Sequence, residues 1–279
     1  MSLRNLSEWL RCPICFRDLH PSPPLSLTCA NGHSFEANKH GFVSLLAVQP
    51  RLGPDAVALL DPRASLLSTG AYEALAHVIA EDTTARRPLR LIDAGCGDGR
   101  YATKLLARLP LTTRILAVDD TADAVRHALR HVGRDRADGL VTDTRGQLPV
   151  RDEVADVVMN VSAPGNAAEF RRVLKPDGVL VIATTHEDHL SELRDVLPSL
   201  DTASRHPSRV AEQFEGHFEL DRVTPIRYRI SVAREAIGPL HNGNSAGPHD
   251  GELRAAFPRE VTVSIDVLRF RPRVATKIS

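Results

Sequence analysis

From about residue 89 onward, short apolar runs alternate with stretches whose apolar residues recur at helical spacing. The predicted strands span residues 89–93, 114–118, 139–142, 154–161 and 178–184, and the predicted helices span residues 101–109, 121–131, 165–174 and 188–196. This alternation predicts an α/β fold with a doubly wound parallel sheet. Such sheets bind ligands beyond the carboxyl ends of their strands. At the end of the chain the pattern predicts two more strands, residues 219–231 and 261–270, around an irregular segment.

The first fifty residues lack this alternation and contain few apolar side chains, which would form only a very small core: Leu25, Leu27 and Phe35. A stretch that contains Pro50, Gly53, Pro54 and Pro62 then predicts a linker, which a helix follows at residues 73–81. The predicted organisation is a small module at residues 1–50, a connector with its helix at 51–88, and a larger domain at 89–279. A linker of this composition predicts that the small module docks at several angles.

Composition limits the function classes without selecting one. Lys and Arg together number 35, as do Asp and Glu, so the net charge is zero and any nucleic-acid surface must be local. No run of 18 apolar residues and no apolar segment of signal-peptide type occurs, so no membrane span is expected. The four cysteines are not arranged as a disulfide set: three lie in the first 29 residues, and the fourth, Cys96, lies in a glycine-rich loop. We therefore expect a cytoplasmic protein in a reducing compartment.

The cysteines near the N-terminus have the spacing of a metal site. Cys12 and Cys15 form a CxxC knuckle, and Cys29 is followed by His33 in a Cys-x3-His arrangement. Three thiolates and one imidazole in this spacing predict a closed, tetrahedral, structural zinc site. A redox CxxC would need a thioredoxin-like βαβ context, which the pattern lacks, and unrelated thiols would not explain His33. The few apolar residues of this module also imply that it needs the metal to fold.

A glycine-rich turn follows the first strand of the larger domain. The strand ends at Asp93, and Gly95, Gly97 and Gly99 then alternate with other residues before a helix. Glycines allow positive φ and a close approach of the backbone to a ligand. The next strand ends at Asp119, an acid that could hold both ribose hydroxyls of an adenosine. The G-x-G-x-G spacing is not that of a dinucleotide fingerprint, and the alternative is an ordinary tight βα turn.

These motifs carry a family resemblance. The acidic G-x-G-x-G sequence and the acid that ends the next strand resemble motifs I and II of class I S-adenosylmethionine (SAM) methyltransferases. The cysteine–histidine pattern, followed by Gly-Phe-Val-Ser-Leu-Leu at residues 41–46, resembles the N-terminus of the RlmA family. The resemblance implies a class I methyltransferase domain with a small N-terminal zinc ribbon, SAM and zinc as cofactors, and a 23S rRNA hairpin as partner. It implies methylation of guanine N1 in hairpin 35, of the guanine 748 or 745 type.

The family resemblance also suggests roles for individual residues. Tyr72 matches a tyrosine of the SAM pocket, although a packing role is equally open, and the neighbouring Ala71 departs from the family's histidine. His189 matches a histidine of the SAM site; the alternative is a solvent-exposed residue at a helix N-terminus. Asp143 would contact adenine or cap a loop, and Leu148 would cover the ring. The predicted cofactor-binding set is Tyr72, Asp93, Gly95, Gly97, Gly99, Arg100, Asp119, Asp143 and His189.

Residues 160–164 occupy the motif IV position beside the methyl donor. Ala163 and Pro164 match the family, whereas Asn160 and Ser162 replace an arginine and an aromatic residue of some relatives. The stretch 165–178 resembles relatives from macrolide-producing actinomycetes, which implies a role in macrolide resistance. The basic residues of the ribbon and of the C-terminal tail are expected to hold the RNA.

Methylation of guanine N1 requires loss of its proton, so a general base would help. The sequence identifies no catalytic residue; Asp98, Asp143 and His189 are candidates by position alone. Two other functions stay open at this point. One is a small-molecule SAM methyltransferase whose ribbon contacts a protein, and the other is a non-catalytic adaptor that binds SAM for stability. A homodimer is also an open option.

Overall fold

A computed structural model describes residues 3–46, 73–84, 90–193, 207–231 and 260–273. Several sequence predictions concern other residues and therefore lie outside the described ones. These are the role of Tyr72, the linker around residues 50–62, and the irregular segment around residues 241–249. Three cations of the predicted basic tail lie outside as well: Arg254, Arg259 and Lys277.

The described chain forms a three-stranded sheet near the N-terminus and an eight-stranded sheet with helices on both faces. The helices are α1 (Leu3–Trp9), α2 (Glu73–Thr84), α3 (Arg100–Leu106), α4 (Ala122–Val132), α5 (Ala167–Val173) and α6 (Pro207–Phe214), with a 3-10 turn at Ser191–Leu193. The strands are β1 (Leu19–Ser22), β2 (Ser26–Cys29), β3 (Ser34–Glu36), β4 (Phe42–Ser44), β5 (Arg90–Ala94), β6 (Arg114–Asp119), β7 (Ala137–Val141), β8 (Ala155–Val161), β9 (Leu174–Thr185), β10 (Phe218–Ser231) and β11 (Glu260–Pro272).

The large sheet confirms the predicted fold class. Its strand order is β10-β11-β9-β8-β5-β6-β7-β4, and β4 through β9 pair in parallel. The two predicted C-terminal strands pair with each other in antiparallel fashion, and β11 also pairs antiparallel to β9. The order reverses between β5 and β8, where a doubly wound sheet opens a crevice for ligands.

Helix α4 shows how the local sequence sets element boundaries. The Thr121 hydroxyl accepts a hydrogen bond from the backbone N–H of Ala124, and Asp123 lies in the first turn. Arg130 and His131 lie in the last turn, and Gly133 ends the helix with φ 91°. The cap and the charges satisfy the exposed backbone groups and the helix dipole at both ends.

The helix predicted at residues 188–196 is wrong over its described part. Residues up to 193 form turns and the short 3-10 segment instead. The Leu190 N–H donates to the Thr262 carbonyl of β11, and the Glu192 carboxylate accepts from both the N–H and the hydroxyl of Thr262. These long-range bonds fix Leu190 at φ 51°, which is incompatible with a continuous helix.

Four strands were not predicted: three form the small N-terminal sheet, and the fourth lies in the large sheet. Phe42–Ser44, part of the segment expected to lead from the ribbon to the larger domain, pairs in parallel with β7 at the edge of the large sheet. A side chain at Gly139 of β7 would come within 2.6 Å of Phe42 Cβ, so the glycine makes room for this strand. The zinc-ribbon segment therefore contributes directly to the larger domain.

The N-terminal module packs into the core of the larger domain, and the expectation of a flexibly docked ribbon is wrong. Buried Leu6, Trp9 and Leu10 belong to the same apolar cluster as Ile92 and Leu116 of the large sheet. The Trp9 indole N–H donates to the Asp138 carboxylate at 3.2 Å, which also accepts from the Arg114 guanidinium at 2.8 Å. A periodicity analysis could not find this contact, because α1 is short and its partners are more than 80 residues away.

Candidate active site and metal centre

The four predicted metal ligands converge on one point. The ligand atoms of Cys12, Cys15, Cys29 and His33 all lie within 4.8 Å of one another. The Cys15 and Cys29 sulfurs are 3.6 Å apart, and His33 Nδ1 lies 3.5 Å from the Cys12 sulfur and 3.4 Å from the Cys29 sulfur. A tetrahedral ion with bonds of about 2.0–2.3 Å needs ligand separations of roughly 3.3–3.8 Å. The donor set and its spacing therefore fit zinc.

Local electrostatics favour the thiolate that zinc requires. Burial raises the pKa of Cys29, but the backbone N–H groups of Asn31 and His33 and the side chains of Cys15 and His33 outweigh it, so the pKa falls to about 6. Burial raises the pKa of Cys12, although the N–H of Ile14 points to its sulfur at 3.4 Å. Three sulfurs and one nitrogen leave no open position for catalysis, so the centre is structural.

Each glycine of the turn after β5 has a distinct reason to be glycine. Gly95 has φ 84°, and a Cβ there would lie 2.3 Å from Ala163 Cβ. Gly99 has φ 77°, and a Cβ there would lie 2.6 Å from Ala128 Cα in α4. Gly97 has φ 50°, and no atom lies within 4 Å of the place a Cβ would take. The middle glycine thus faces open space, where a ligand can approach the backbone.

Asp119 lies beside this turn at the end of β6. Its carboxylate accepts from the Gly97 N–H at 3.1 Å, and from the N–H and the hydroxyl of Thr121 at 3.2 Å each. Burial raises the pKa of Asp119 to about 6; the N–H groups of Gly97 and Thr121 lower it, and neighbouring Asp120 raises it. The turn and the acid are therefore linked, as a ribose site at this position would require.

The other acids of the turn differ from each other in environment. Asp93 is only 3 % exposed, and burial, together with the charges of Asp119 and Asp98, raises its pKa to about 8. Asp98 instead forms an ion pair with the predicted cofactor residue Arg100, with Nε to carboxylate distance 2.8 Å. That pair uses the Asp98 carboxylate, which argues against Asp98 as a general base.

The loop after β7 departs from the expected adenine contacts. Asp143 is half-exposed, and its carboxylate accepts from the backbone N–H and the guanidinium of Arg145 at 2.9 and 3.2 Å. Both bonds lower the pKa of Asp143, and the bond from the backbone N–H of Arg145 has the larger effect. The loop-cap role is thus present, and adenine contact stays a prediction. The expected ring cover by Leu148 is wrong, because its side chain is fully buried in the core.

His189 is buried rather than solvent-exposed. It is 3 % exposed, lies in the turn after β9, and accepts a hydrogen bond at Nδ1 from the Ser264 N–H of β11 at 3.1 Å. The alternative of a solvated histidine at a helix N-terminus is therefore wrong. Its role toward SAM stays a prediction, as do the roles of the other predicted cofactor residues.

Asn160 joins motif IV to the glycine turn, a role that the sequence did not reveal. The buried Asn160 amide donates to the carbonyls of Ala94 at 2.8 Å and Pro164 at 3.3 Å. It thereby fixes the loop that carries Ala163 against Gly95. The departure of Asn160 from the family pattern was noted in the sequence, but its partners are backbone atoms that no sequence motif specifies.

Two family profiles match the chain in the order that the structure shows. The profile described as "RlmA, N-terminal" matches residues 10–52, and the profile described as "Methyltransferase domain" matches residues 92–182. The first covers all four metal ligands, and the second covers the glycine turn, Asp119 and motif IV.

Two curated relatives match along nearly the whole chain. A protein of Streptomyces fradiae named 23S rRNA (guanine(748)-N(1))-methyltransferase is 35% identical over 282 residues, which is 96% of this chain and 99% of the relative. A relative from Micromonospora griseorubida, assigned as a 23S rRNA (guanine-N(1)-)-methyltransferase, is 34% identical with the same coverage of both chains. Similarity of this extent includes both the ribbon and the methyltransferase domain.

A solved structure supports the fold alone. The YcgJ protein of Bacillus subtilis superposes with a TM-score of 0.51 at 16% identity, covering 72% of this chain and 98% of its own. The full-length relatives and the ribbon profile are more specific. The chain belongs to the RlmA family of 23S rRNA guanine-N1 methyltransferases, SAM-dependent enzymes with a class I fold and an N-terminal zinc ribbon.

Proposed function

We propose that this enzyme transfers a methyl group from SAM to N1 of one guanine in hairpin 35 of 23S rRNA, at the position of guanine 748 or its neighbour 745. The observation that carries the proposal is the full-length similarity to the Streptomyces fradiae enzyme named for guanine 748. The similarity covers both the ribbon and the methyltransferase domain, and in this structure the two share a single apolar core. A free-standing ribbon with an unrelated methyltransferase domain would not share a core in this way.

The proposed cofactor site lies at the carboxyl ends of β5 and β6. SAM supplies a methyl group on a sulfonium that is already an excellent leaving group, so the chain must mainly align it and exclude water. Gly97 would let the cofactor approach the backbone, Asp119 would accept from the ribose hydroxyls, and Asp93 would line the site in its neutral form. His189 and Tyr72 complete the set that the family resemblance implies.

The assignment of Asp119 predicts a pH dependence of SAM affinity. Ribose hydroxyls donate to the ionised carboxylate, whereas the raised pKa of about 6 means that the free enzyme holds a proton there in mild acid. Binding must then release that proton. The affinity should be constant near pH 7 and fall by up to roughly tenfold per pH unit below pH 6. Asp93, whose pKa is about 8, stays protonated over this range and contributes no slope.

Calorimetry between pH 5 and 7 checks this prediction. Asp119→Ala should weaken binding at pH 7 by roughly 10- to 100-fold, from the loss of about 1.5–3 kcal/mol in charge-assisted hydrogen bonds. It should also abolish the slope below pH 6. Asp120→Ala, a change to the neighbouring acid, is the matched comparison: it should keep a slope but move its onset to lower pH, because Asp120 raises the pKa of Asp119. A native affinity that does not change with pH would refute the ribose role.

The RNA contacts proposed for the C-terminal tail need revision. Among its described arginines, Arg269 pairs with Asp82 and Asp221, and Arg271 pairs with Asp221 at 3.2 Å. The Arg273 guanidinium donates to the carbonyls of Glu215 and Phe218. Because these three described cations already have protein partners, we propose that another described surface supplies phosphate contacts.

A basic surface joins the ribbon to helix α4. We define the α4 patch as Lys39, Arg126, Arg130 and Arg134. The three arginines follow at four-residue intervals, and the Arg134 guanidinium donates to the Lys39 carbonyl at 3.3 Å. Burial and the charges of all four patch residues lower the pKa of His40 beside them. Because the whole chain is neutral, such a concentration of positive charge favours phosphate binding here.

Neutralising the exposed part of the α4 patch should weaken RNA binding without affecting SAM. The triple variant Lys39→Gln/Arg130→Gln/Arg134→Gln should reduce the slope of log affinity against log salt concentration by about 2 to 3. Filter binding of 23S rRNA over a salt series measures the slope. Arg108→Gln, an exposed arginine paired with Glu73 outside the patch, is the control and should leave it unchanged. A triple variant with the native slope would place the phosphates on another surface.

Primer extension tests the proposed function directly. N1-methylguanine blocks base pairing, so reverse transcriptase should stop beside the target guanine in rRNA from cells that contain the gene, and pass it in cells without the gene. The same strains, challenged with a macrolide, test the proposed resistance role. Sedimentation of the purified enzyme tests whether it forms a homodimer. The proposed site of action is the cytoplasm. Among the described residues, no helix is long and apolar enough to cross a membrane.

A further inference from the structure

A polar cluster occupies the sheet beside motif IV, and the cofactor assignment does not use it. Along one face of β9 and β11, apolar side chains give way to polar ones toward the carboxyl end of the parallel strands. Leu268 of β11 belongs to the core cluster, whereas Asp266 and Ser264 follow it on the same face. Asp266 lies opposite Thr184 of β9, and Ser264 lies opposite Arg227 of β10. This change from apolar to polar side chains places a candidate site at the end of the core surface.

His186 and Asp266 form the centre of this cluster. His186 Nε2 lies 2.5 Å from the Asp266 carboxylate, and the His186 backbone N–H donates to the Ser264 carbonyl at 3.0 Å. The Arg227 guanidinium donates to both oxygens of Asp266, at 3.1 and 3.4 Å. Asp266 is 2 % exposed, so this buried carboxylate is held from two sides. A carboxylate on Nε2 fixes the tautomer and makes Nδ1 the basic nitrogen of the neutral ring.

The cluster lies on the acceptor side of the proposed methyl donor. Val161 of β8 pairs with Ala183 of β9, and the Ser162 N–H donates to the Ala183 carbonyl at 2.9 Å. Motif IV, which packs against the glycine turn through Ala163, is therefore the immediate neighbour of the strand end that carries His186. The proposed cofactor lies beyond β5 and β6. The guanine that accepts the methyl group must therefore approach the cofactor from the side of β8, β9 and β11.

We propose that His186, oriented by Asp266, is the catalytic base that takes the proton from guanine N1. This inference rests on the proposed function. The proton and the incoming methyl group occupy the same in-plane position on N1, so the proton must leave first. It moves to His186 Nδ1, the N1 lone pair forms the bond to the methyl carbon, and the carbon–sulfur bond breaks to release S-adenosylhomocysteine. The imidazolium returns its proton to water.

Arg227 and Asp266 act on His186 as positioning residues. Asp266 stabilises the imidazolium once it forms, while Arg227 keeps the carboxylate in place. The charged groups around His186 are Asp266 on β11, Arg227 on β10, and Glu187, Asp188 and His189 in its own turn.

His186→Gln tests the proposal under single-turnover conditions with unmethylated 23S rRNA and radiolabelled SAM. The methyl-transfer rate should fall about 10²- to 10⁴-fold, whereas SAM affinity by calorimetry should stay native. Asp188→Asn, an exposed acid in the same turn, is the matched control and should keep the native rate. Asp266→Asn provides a second variant, which should lower the rate because it favours the wrong tautomer.

The pH profile separates a base from a structural residue. Without a base, the reaction depends on guanine that has already ionised, so the His186→Gln rate should rise roughly tenfold per pH unit and its deficit should shrink at alkaline pH. A native rate in His186→Gln, or a deficit that does not change with pH, would overturn the assignment. A native enzyme that methylates no rRNA would instead overturn the proposed function itself.

Discussion

Gly99→Ala should destabilise the enzyme and largely abolish SAM binding. Alanine at φ 77° costs about 1–2 kcal/mol, and its Cβ would lie 2.6 Å from the Ala128 backbone, where overpacking costs about 1–3 kcal/mol more. The glycine turn must then move away from α4. That movement displaces the Gly97 N–H from Asp119 and opens the proposed ribose site. We expect a fall of roughly 5–15 °C in the unfolding midpoint and a loss of SAM affinity of about tenfold or more.

Gly97→Ala is the matched control, because it separates the demands of folding from those of the ligand. Gly97 also has positive φ, but no atom lies within 4 Å of its added Cβ. This variant should lose only about 1 kcal/mol of stability and yet bind SAM poorly, since its methyl group points into the space proposed for the cofactor. Thermal unfolding and calorimetry on both variants measure the difference. Equal stability of the two would show that the packing of Gly99 on α4 is not what requires glycine.

The sequence contained enough to predict the parallel sheet, because its strands are buried on both faces and therefore continuously apolar. It also located the metal ligands and the glycine turn, whose chemistry depends on residue type and local spacing. The sequence could not predict contacts between residues that are far apart in the chain. The short strand Phe42–Ser44 has no period of its own and depends on the missing side chain at Gly139, about a hundred residues later in the chain.

The proposed catalytic base shows more clearly that long-range contacts cannot be predicted from local sequence. The sequence assigned no role to His186, since a histidine in a turn has no distinctive sequence context. Its significance comes from Asp266, a residue of β11 that the antiparallel register places beside it. Leu148 shows the opposite error: a loop residue expected to cover adenine lies in the core, because the chain turns inward there to meet the ribbon.

Removal of zinc should destabilise the whole enzyme rather than the ribbon alone. The ribbon's few apolar residues cannot hold it without metal, and structural zinc contributes about 10–16 kcal/mol in isolated finger peptides. Here the same segment supplies α1, β4 and part of the shared core, including Trp9 and Val43. A net loss of about 5 kcal/mol would lower the unfolding midpoint by roughly 10–20 °C. A flexibly docked ribbon, which the composition of the linker predicted, would instead leave the methyltransferase domain folded.

Two probes in one unfolding experiment decide between these outcomes. Trp9, the single tryptophan of the chain, is buried between the ribbon and the large sheet, where it bonds to Asp138. Its fluorescence reports the ribbon contact, and far-ultraviolet circular dichroism reports the sheet and helices. In chelator-treated enzyme both should shift together to lower temperature. His33→Gln should lose zinc at a lower chelator concentration than His20→Gln, a histidine in β1 outside the ligand cluster. If only the fluorescence transition moves, the ribbon is an independent module, and the shared core does not transmit the loss of its metal to the active site.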